Sequence, residues 1–273
     1  MATVVDRALI EEARRILRDV SFVTPLEHSR ALSDLVGGPV YLKCENLQRT
    51  GSFKVRGAYV RISRLTREER ARGVVAASAG NHAQGVALAA ARLGTSAVVY
   101  MPTDVPLPKL AATQGYGAEV RLWGANVDEA LREARAVSAQ TGRVFIHPFD
   151  HPDVIAGQGT IGPEILEEVP DVRTVLVPVG GGGLLAGIAR GLERPGDPVR
   201  VVGVQAAGAA AYPPSLEAGH PVGLRRTSTI ADGIAVGTPG DVAFEIIRDA
   251  AAEVRTVSDE QISQAMLAIL ERS

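Results

Sequence analysis

Apolar runs of strand length alternate with helical patterns of ten or more residues along most of this 273-residue chain. The alternation is typical of parallel sheets covered by helices on both faces, because parallel strands need long crossover connections. Together with the length, it predicts an α/β protein with two open, doubly wound domains and mostly parallel sheets. The predicted strands lie near residues 40–44, 74–77, 96–101, 118–122, 144–147, 174–179, 199–205 and 253–257.

Capping residues predict several helix ends. Asn126 is expected to begin a helix over residues 127–140, and Ser258 with Gln261 forms the capping-box pattern that opens the last helix. Residues 206–229 are rich in glycine and proline, which predicts a long loop with room for one short helix. Such a loop is either functional or a solvated connector, and its composition fits both.

Charge and composition narrow the classes of partner. Lys and Arg number 29 against 31 Asp and Glu, a net charge of -2, so we expect no binding to nucleic acid or to an acidic membrane. No apolar run approaches the roughly 18 residues needed to span a bilayer, and we find no signal-peptide pattern. Cys44 is the only cysteine, which excludes an internal disulfide and a thiolate metal cluster within the chain. These features predict a cytoplasmic protein.

A lysine motif, Gly51-Ser52-Phe53-Lys54-Val55-Arg56-Gly57, is the first of three patterns that carry chemistry. Ser52 is a good N-cap, so Lys54 is expected in the first turn of a helix, where the peptide dipoles disfavour a further positive charge. This position, with Arg56 as a neighbouring cation, would lower the pKa of the amine and let Lys54 attack an aldehyde as the free base. A lone lysine would more often be a surface residue paired with a carboxylate.

A glycine tetrad, Gly180, Gly181, Gly182 and Gly183, follows an apolar run and precedes a helical pattern that starts at Leu184. Four backbone N–H groups at such a turn can converge on an anion, which predicts a phosphate site. Glycine is also required where a strand and a helix pack closely, so the tetrad alone leaves both explanations open.

A polar turn, Ser78-Ala79-Gly80-Asn81-His82, stands between a predicted strand and an alanine-rich helical pattern. Ligands of open α/β folds bind at this edge of the sheet, and the amides of the turn suit a substrate carboxylate. For His82 alone, the alternative is a structural histidine bonded to a neighbouring loop.

As a set, the three motifs resemble the threonine dehydratases of the tryptophan-synthase β-like group of pyridoxal-phosphate enzymes, with the serine racemases as close relatives. They occur in the family's order, as Ser-Phe-Lys-x-Arg-Gly-Ala, Ser-Ala-Gly-Asn-His-Ala-Gln-Gly and Gly-Gly-Gly-Gly-Leu. The resemblance covers nearly the whole chain from Thr24 onward. It implies the tryptophan-synthase β-like fold, pyridoxal 5'-phosphate as the cofactor, and Lys54 as the residue that bonds to it.

The resemblance also implies the residues of the site. Cofactor contacts are expected from Phe53, Lys54, Asn81, Gly180, Gly181, Gly182, Gly183, Leu184 and Gly233. The substrate carboxylate would be surrounded by Ser78, Ala79, Gly80, Asn81 and His82. Gly233 belongs to a segment, Thr229–Ile234, that is similar to one passing beneath the cofactor ring, and Gly157–Thr160 is similar to a helix entrance near the site.

Three departures from the family pattern bear on function. Ala79 replaces a second serine that in serine racemases handles the proton on the cofactor face opposite the lysine, so elimination is favoured over racemisation. Gln205 replaces a glutamate that begins a divalent-cation site in many relatives, and we predict no bound metal. The family continues past the last helix with a helix, a strand and a Ser-Gly-Gly-Asn-like segment that nothing here matches. We therefore expect that the C-terminus is truncated.

These expectations combine into one hypothesis with two alternatives. The chain would be a pyridoxal-phosphate dependent ammonia-lyase that removes the β-hydroxyl of L-threonine or L-serine to give a 2-oxo acid and ammonia. The first alternative is a related enzyme that catalyses racemisation or β-replacement. The second alternative, from another functional class, is a binding protein without turnover. The resemblance further implies a large domain of residues 1–56 and 147–273, a small domain of residues 57–146, and a homodimer or homotetramer. The remaining histidines, His28, His147, His151 and His220, receive no role.

Overall fold

The computed structural model describes residues 5–250 and 252–272. The strands are β1 (Leu26–His28), β2 (Tyr41–Lys43), β3 (Val74–Ala77), β4 (Ala97–Met101), β5 (Glu119–Leu122), β6 (Val144–Phe145), β7 (Thr174–Pro178), β8 (Arg200–Ala206) and β9 (Glu253–Val257). The helices are α1 (Arg7–Leu17), α2 (Arg30–Val36), α3 (Lys54–Ser63), α4 (Arg67–Arg72), α5 (Asn81–Arg92), α6 (Leu107–Gly115), α7 (Val127–Thr141), α8 (Pro152–Gly159), α9 (Ile161–Glu168), α10 (Gly183–Gly191), α11 (Tyr212–Ala218), α12 (Asp241–Asp249) and α13 (Asp259–Arg272). All eight predicted strands are present within two residues, and β1 was not predicted.

A four-stranded parallel sheet is formed by β3 to β6 in the order β5-β4-β3-β6. The chain winds outward from β3 through β4 to β5 and then returns to place β6 on the other side of β3. The order therefore reverses between β3 and β6, and in open α/β sheets the crevice at such a reversal, outside the carboxyl ends of the strands, is where ligands bind.

Both faces of this sheet are covered. One face packs with α3 and α5, where buried residues such as Ile62, Val86 and Val99 form one core cluster. The other face packs against α7, whose Ala130 is fully buried against a second cluster. Because both faces are buried, all four residues of β3 are apolar, which is why its sequence is a continuous apolar run.

A second parallel sheet has the order β7-β8-β9, and β1 pairs with β2 as an antiparallel ladder. The core beside the second sheet contains Val177 and Val179, Leu185 of α10, and Phe244 of α12. The α/β class with parallel sheets is thus confirmed. No helix in residues 5–250 and 252–272 combines the length and the apolar composition needed to cross a membrane.

Helix α8 connects the two halves through glycine contacts. A Cβ at Gly157 would lie 2.6 Å from the Cα of Gly57 in α3, and a Cβ at Gly159 would lie 2.8 Å from the carbonyl oxygen of Gly187 in α10. Gly157–Thr160 ends α8 and leads directly into α9, whose N-cap is Thr160, so the expected helix start lies at the end of this segment. Its glycines also serve close helix packing. His151 is the residue that caps α8, since its Nδ1 accepts from the N–H of Asp153.

Two of the predicted caps are confirmed and one is wrong. Asn126 accepts from the N–H of Glu129 at 3.0 Å, and Ser258 and Gln261 form the reciprocal bonds of a capping box. Ser52 does not cap α3, because the residue before the helix is Phe53 and Ser52 has an extended backbone. Its buried hydroxyl has no hydrogen-bond partner in the described part of the chain. The loop of residues 206–229 contains one helix, α11.

Candidate functional site

Lys54 is the first residue of α3, as predicted, and its amine lies inside the protein. Nζ donates to the carbonyl oxygen of Pro148 at 2.9 Å and lies 5.3 Å from the ring centroid of Phe53. Burial lowers the pKa of the amine to about 8, because an apolar environment disfavours the charged form. The residue as a whole is half-buried, so part of its surface stays accessible.

Lys54 differs from the other two lysines of the chain in its partners. Lys43 pairs with Glu164 at 2.9 Å, and Lys109 pairs with Asp232 at 2.8 Å. Lys54 has no carboxylate within ion-pair distance among the described residues. An unpaired interior lysine with a lowered pKa is the form that can act as a nucleophile or a base near neutral pH.

The sequence suggested that the charge of Arg56 lowers the pKa of Lys54, but the structure gives Arg56 other partners. Its guanidinium is buried and bonds to Glu45 and to Glu164, with Nη1 at 2.6 Å from the Glu164 carboxylate. Burial acts to lower the pKa of Arg56, but these two carboxylates outweigh burial and raise it. The lowered pKa of Lys54 therefore results from burial of the amine and not from repulsion by Arg56.

The polar turn Ser78–His82 follows the carboxyl end of β3 at the point where the strand order reverses. Ser78 Oγ accepts from the N–H of Gly80, and α5 begins at Asn81. The ring of buried His82 donates from Nε2 to the carbonyl oxygen of Ile146 at 2.9 Å, which ties this turn to the end of β6. Burial first, and then the charge of Lys54, lower the pKa of His82 to about 3, so the ring is neutral.

Helix α5 brings the polar turn to Lys54. A Cβ at Gly85, one turn into α5, would lie 3.0 Å from the carbonyl carbon of Lys54. Only glycine permits this approach, and it sets the first turn of α5 against the first turn of α3. The start of α5 is therefore close to the backbone of Lys54.

The glycine tetrad forms the turn between β7 and α10. Gly182 has φ of 101°, a left-handed conformation that favours glycine, and α10 begins at Gly183. Ala186 N–H donates to Gly182 O at the start of α10, so the amides from Gly181 to Leu184 precede the helical ladder in the described chain. Amides in this position, at the positive end of a helix dipole, are of the kind that bind anions, so the phosphate site stays a prediction.

Each glycine of the tetrad also lies so close to another residue that a Cβ would contact it. A Cβ at Gly183 would lie 2.5 Å from the carbonyl oxygen of Phe149, and one at Gly181 would meet the Phe149 ring. A Cβ at Gly180 would lie 3.1 Å from the Cα of Ile234, in the segment predicted to pass near the cofactor. Close packing therefore explains why these positions are glycine, and the binding of a phosphate by their amides stays a prediction.

Sequence reasoning missed the segment from His147 to Asp150, which joins the motifs. It follows β6 at the same sheet edge as the polar turn. Pro148 accepts from Lys54, and Phe149 packs on the glycine tetrad. Asp150 accepts from the N–H groups of Asp241 and Ala243 at the start of α12. The signal that could have found it is the reversal of strand order, which places the residues after β6 opposite those after β3.

Gly233, predicted to contact the cofactor, and Gln205, predicted to leave a cation site incomplete, have clear surroundings in the structure. A Cβ at Gly233 would meet no protein atom within 4 Å, so this backbone faces open space. Gln205 is buried and its Oε1 accepts from the N–H of Tyr212 at 3.0 Å. No group of three or more acidic, histidine or cysteine residues with metal-binding geometry occurs in the described ranges. The absence of a bound cation stays a prediction.

A cavity of about 560 Å³ opens elsewhere, beside the amino ends of β8 and β9, and is lined by Arg7, Arg194 and Arg200 among others. It contains none of the three motifs. The surroundings of Lys54 are the better candidate for chemistry, because they combine an interior amine, the predicted anion site and the carboxyl ends of the strands.

The chain is similar to known proteins over most of its length. A profile of the family described as "Pyridoxal-phosphate dependent enzyme" matches residues 17–273. An "L-threonine ammonia-lyase" from Thermotoga maritima is 50% identical over 264 residues, which are 97% of this chain and 66% of that protein. The chain thus spans slightly less than two thirds of the length of this relative.

Solved structures show the same relationship. The processed form of threonine deaminase isoform 2 from Solanum lycopersicum superposes with a TM-score of 0.93 at 40% identity, covering 100% of this chain and 77% of that one. Maize serine racemase superposes with a TM-score of 0.92 at 35% identity, covering 97% and 80%. With the family profile matching almost the whole chain, this protein belongs to the family of pyridoxal-phosphate dependent enzymes.

Proposed function

We propose that this chain forms the catalytic part of an ammonia-lyase that converts L-threonine to 2-oxobutyrate and ammonia, with L-serine as a second substrate that gives pyruvate. The observation that carries the proposal is the placement of the Lys54 amine. It is buried, has no carboxylate partner among the described residues, and bonds to Pro148 next to the residue that packs on the glycine tetrad. The relatives named as threonine ammonia-lyase and threonine deaminase support the choice of substrate.

The donor set fits pyridoxal phosphate. The amides of Gly181, Gly182, Gly183 and Leu184 suit its phosphate, and an amine with a pKa of about 8 suits condensation with its aldehyde. Asn81 would donate to its phenolic oxygen, and Phe53, Gly180 and Gly233 would lie against it. When bound, this group supplies an electron sink for negative charge that develops on the substrate Cα.

The chain's own residues would hold the substrate and move its protons. The amides at the start of α5, from Gly80 to His82, together with Ser78, would hold the substrate carboxylate at a helix N-terminus. Only the backbone of His82 is available for this, because its ring is engaged by Ile146. Lys54, once displaced, would take the proton from Cα.

Ala79 favours elimination over racemisation. A racemase must deliver a proton to the face of Cα opposite the lysine, and a methyl group cannot carry one. Ala79 packs beside the apolar cluster of the first sheet, so its side chain also has a structural place. Racemisation and β-replacement are therefore the outcomes against which the proposal is tested.

The organisation of the whole protein is proposed on the same basis. The large domain would comprise residues 1–56 and 147–273 around the second sheet, and the small domain residues 57–146 around the first. A homodimer or homotetramer and a cytoplasmic location complete the proposal, and they rest on the family resemblance and on the single cysteine.

The assay is direct. The chain is incubated with pyridoxal phosphate and L-threonine, and 2-oxobutyrate and ammonia are measured in equal amounts, with Lys54→Ala as the inactive control. Formation of D-serine from L-serine without pyruvate would instead identify a racemase. Visible absorbance that appears with the cofactor but without turnover would identify a binding protein.

A further inference from the structure

His147 is half-buried one residue before Pro148, whose carbonyl oxygen accepts from Lys54. Its Nδ1 accepts from the N–H of Phe149 at 3.3 Å and from the N–H of Asp150 at 2.8 Å. Both donors are backbone amides, so Nδ1 carries no proton and the neutral ring has its hydrogen on Nε2. One ring nitrogen thus closes a turn over the next three residues.

Pro148 lies inside this turn. Pro148 has no N–H, and its ring restricts φ, so the residue presents only its carbonyl oxygen. That oxygen lies 2.9 Å from Lys54 Nζ. The two amides that follow Pro148 are engaged by His147, and the orientation of the Pro148 carbonyl is therefore coupled to that ring.

The imidazole is held in place by aromatic neighbours. Its ring centroid lies 4.7 Å from that of Phe149 and 6.0 Å from that of Phe145, both edge-on. Arg135 in turn stacks over Phe145 at 4.9 Å. Burial first, then the charges of Arg135, Lys54 and His151, lower the pKa of His147 to about 3. Protonation of Nδ1 would set it against two N–H donors, so the turn requires the neutral ring.

We propose that His147 is a positioning residue, whose Nδ1 fixes the Pro148 carbonyl and through it the Lys54 amine beside the glycine tetrad. The inference rests on the proposed function only for the identity of the cofactor. The segment after it is fixed independently, since Phe149 packs on Gly181 and Gly183 and Asp150 caps α12. What remains to be fixed in this segment is the direction of the Pro148 carbonyl, and His147 fixes it.

Three variants of the full chain separate positioning from general packing. His147→Phe keeps an aromatic ring and removes the acceptor. His147→Asn loses the ring but offers Oδ1 to the same two amides, as an Asx-turn does. His151→Phe is the matched control, because His151 Nδ1 also accepts from an amide, that of Asp153, but does not contact Lys54.

The first readout needs no cofactor. Amine modification by a small acylating reagent is followed by mass spectrometry of peptides, and the rate at Lys54 is divided by that at exposed Lys109. We expect this ratio to change at least about threefold in H147F and to stay near the wild-type value in H147N and H151F, as the loss of one positioned hydrogen bond implies. An unchanged ratio in H147F, or an equal change in H147N, overturns the inference.

The second readout is the dissociation constant of pyridoxal phosphate, measured by equilibrium dialysis. We expect about tenfold weaker binding in H147F and wild-type binding within about threefold in H147N. Equal weakening in all three variants contradicts positioning by His147. A wild-type chain that binds no cofactor refutes the proposed function, while the modification ratio still decides on His147. If H147F does not fold, H147L, which also lacks an acceptor, replaces it under the same criteria.

Discussion

The buried amine of Lys54 should cost stability at neutral pH, and replacing it should recover that cost. In the folded protein its pKa is about 8, against 10.5 for an ordinary lysine. The difference of about 2.5 units corresponds to about 3 kcal/mol, since one unit is worth about 1.4 kcal/mol. Lys54→Met keeps an unbranched stem and removes the charge, but it leaves the Pro148 carbonyl without its donor, which costs about 1 kcal/mol. The cofactor-free variant should be more stable by about 2 kcal/mol at pH 7.

The sign of the pH dependence follows from proton linkage. Below pH 8 the amine is protonated in both states, and the folded state carries the full cost of a buried cation. Between pH 8 and 10.5 the unfolded state holds more protons than the folded state, so the stability of the wild type rises with pH. The advantage of Lys54→Met should therefore shrink across this window and change sign near its upper end.

Urea unfolding of both proteins without cofactor, at several values from pH 7 to 10.5, measures this difference directly. Other titrating groups are common to both proteins and cancel. A difference that does not vary with pH, or a wild type that is the more stable protein at pH 7, would refute the assignment of a desolvated amine at Lys54.

Three further substitutions test the surroundings of the site. Gly183→Ala should cost about 1–3 kcal/mol in urea unfolding and weaken cofactor binding in dialysis, because the added methyl would lie 2.5 Å from the Phe149 carbonyl oxygen. Ser52→Ala should leave the free energy of unfolding unchanged or raise it by up to about 1 kcal/mol, since its buried hydroxyl has no partner in the described chain. Arg56→Met should cost about 3–5 kcal/mol at neutral pH, because it leaves Glu45 without its ion-pair partner and Glu164 with Lys43 alone; a cost below 1 kcal/mol would contradict this role.

Much of the fold could be predicted because its cause is local. Strands such as β3 and β4 are buried on both faces and so appear as continuous apolar runs, and Asn126 and Ser258 cap helices through short-range bonds. β1 was missed because it has only three residues, two of them polar and exposed. Ser52 was misassigned because tertiary packing holds it in an extended conformation that its capping preference opposes.

The residues of the candidate site could be proposed from the sequence, but their geometry could not. The three motifs identified Lys54, the polar turn and the tetrad, and the direction of the lysine pKa was right. The predicted cause of the lowered pKa, a charge on Arg56 beside Lys54, was wrong. Whether Arg56 faces Lys54 or Glu164 depends on contacts between distant segments. His147 carries no signal of its own, since its importance arises only when β6 pairs with β3 and brings Pro148 to Lys54.

Reductive trapping tests the central claim most directly. The chain is mixed with pyridoxal phosphate, reduced with borohydride, digested, and analysed for the lysine that carries the cofactor. Of the three lysines, Lys54 should carry it, and Lys43 and Lys109, each paired with a carboxylate, should remain unmodified. Cofactor found on Lys43 or Lys109, or on no lysine, would contradict the account.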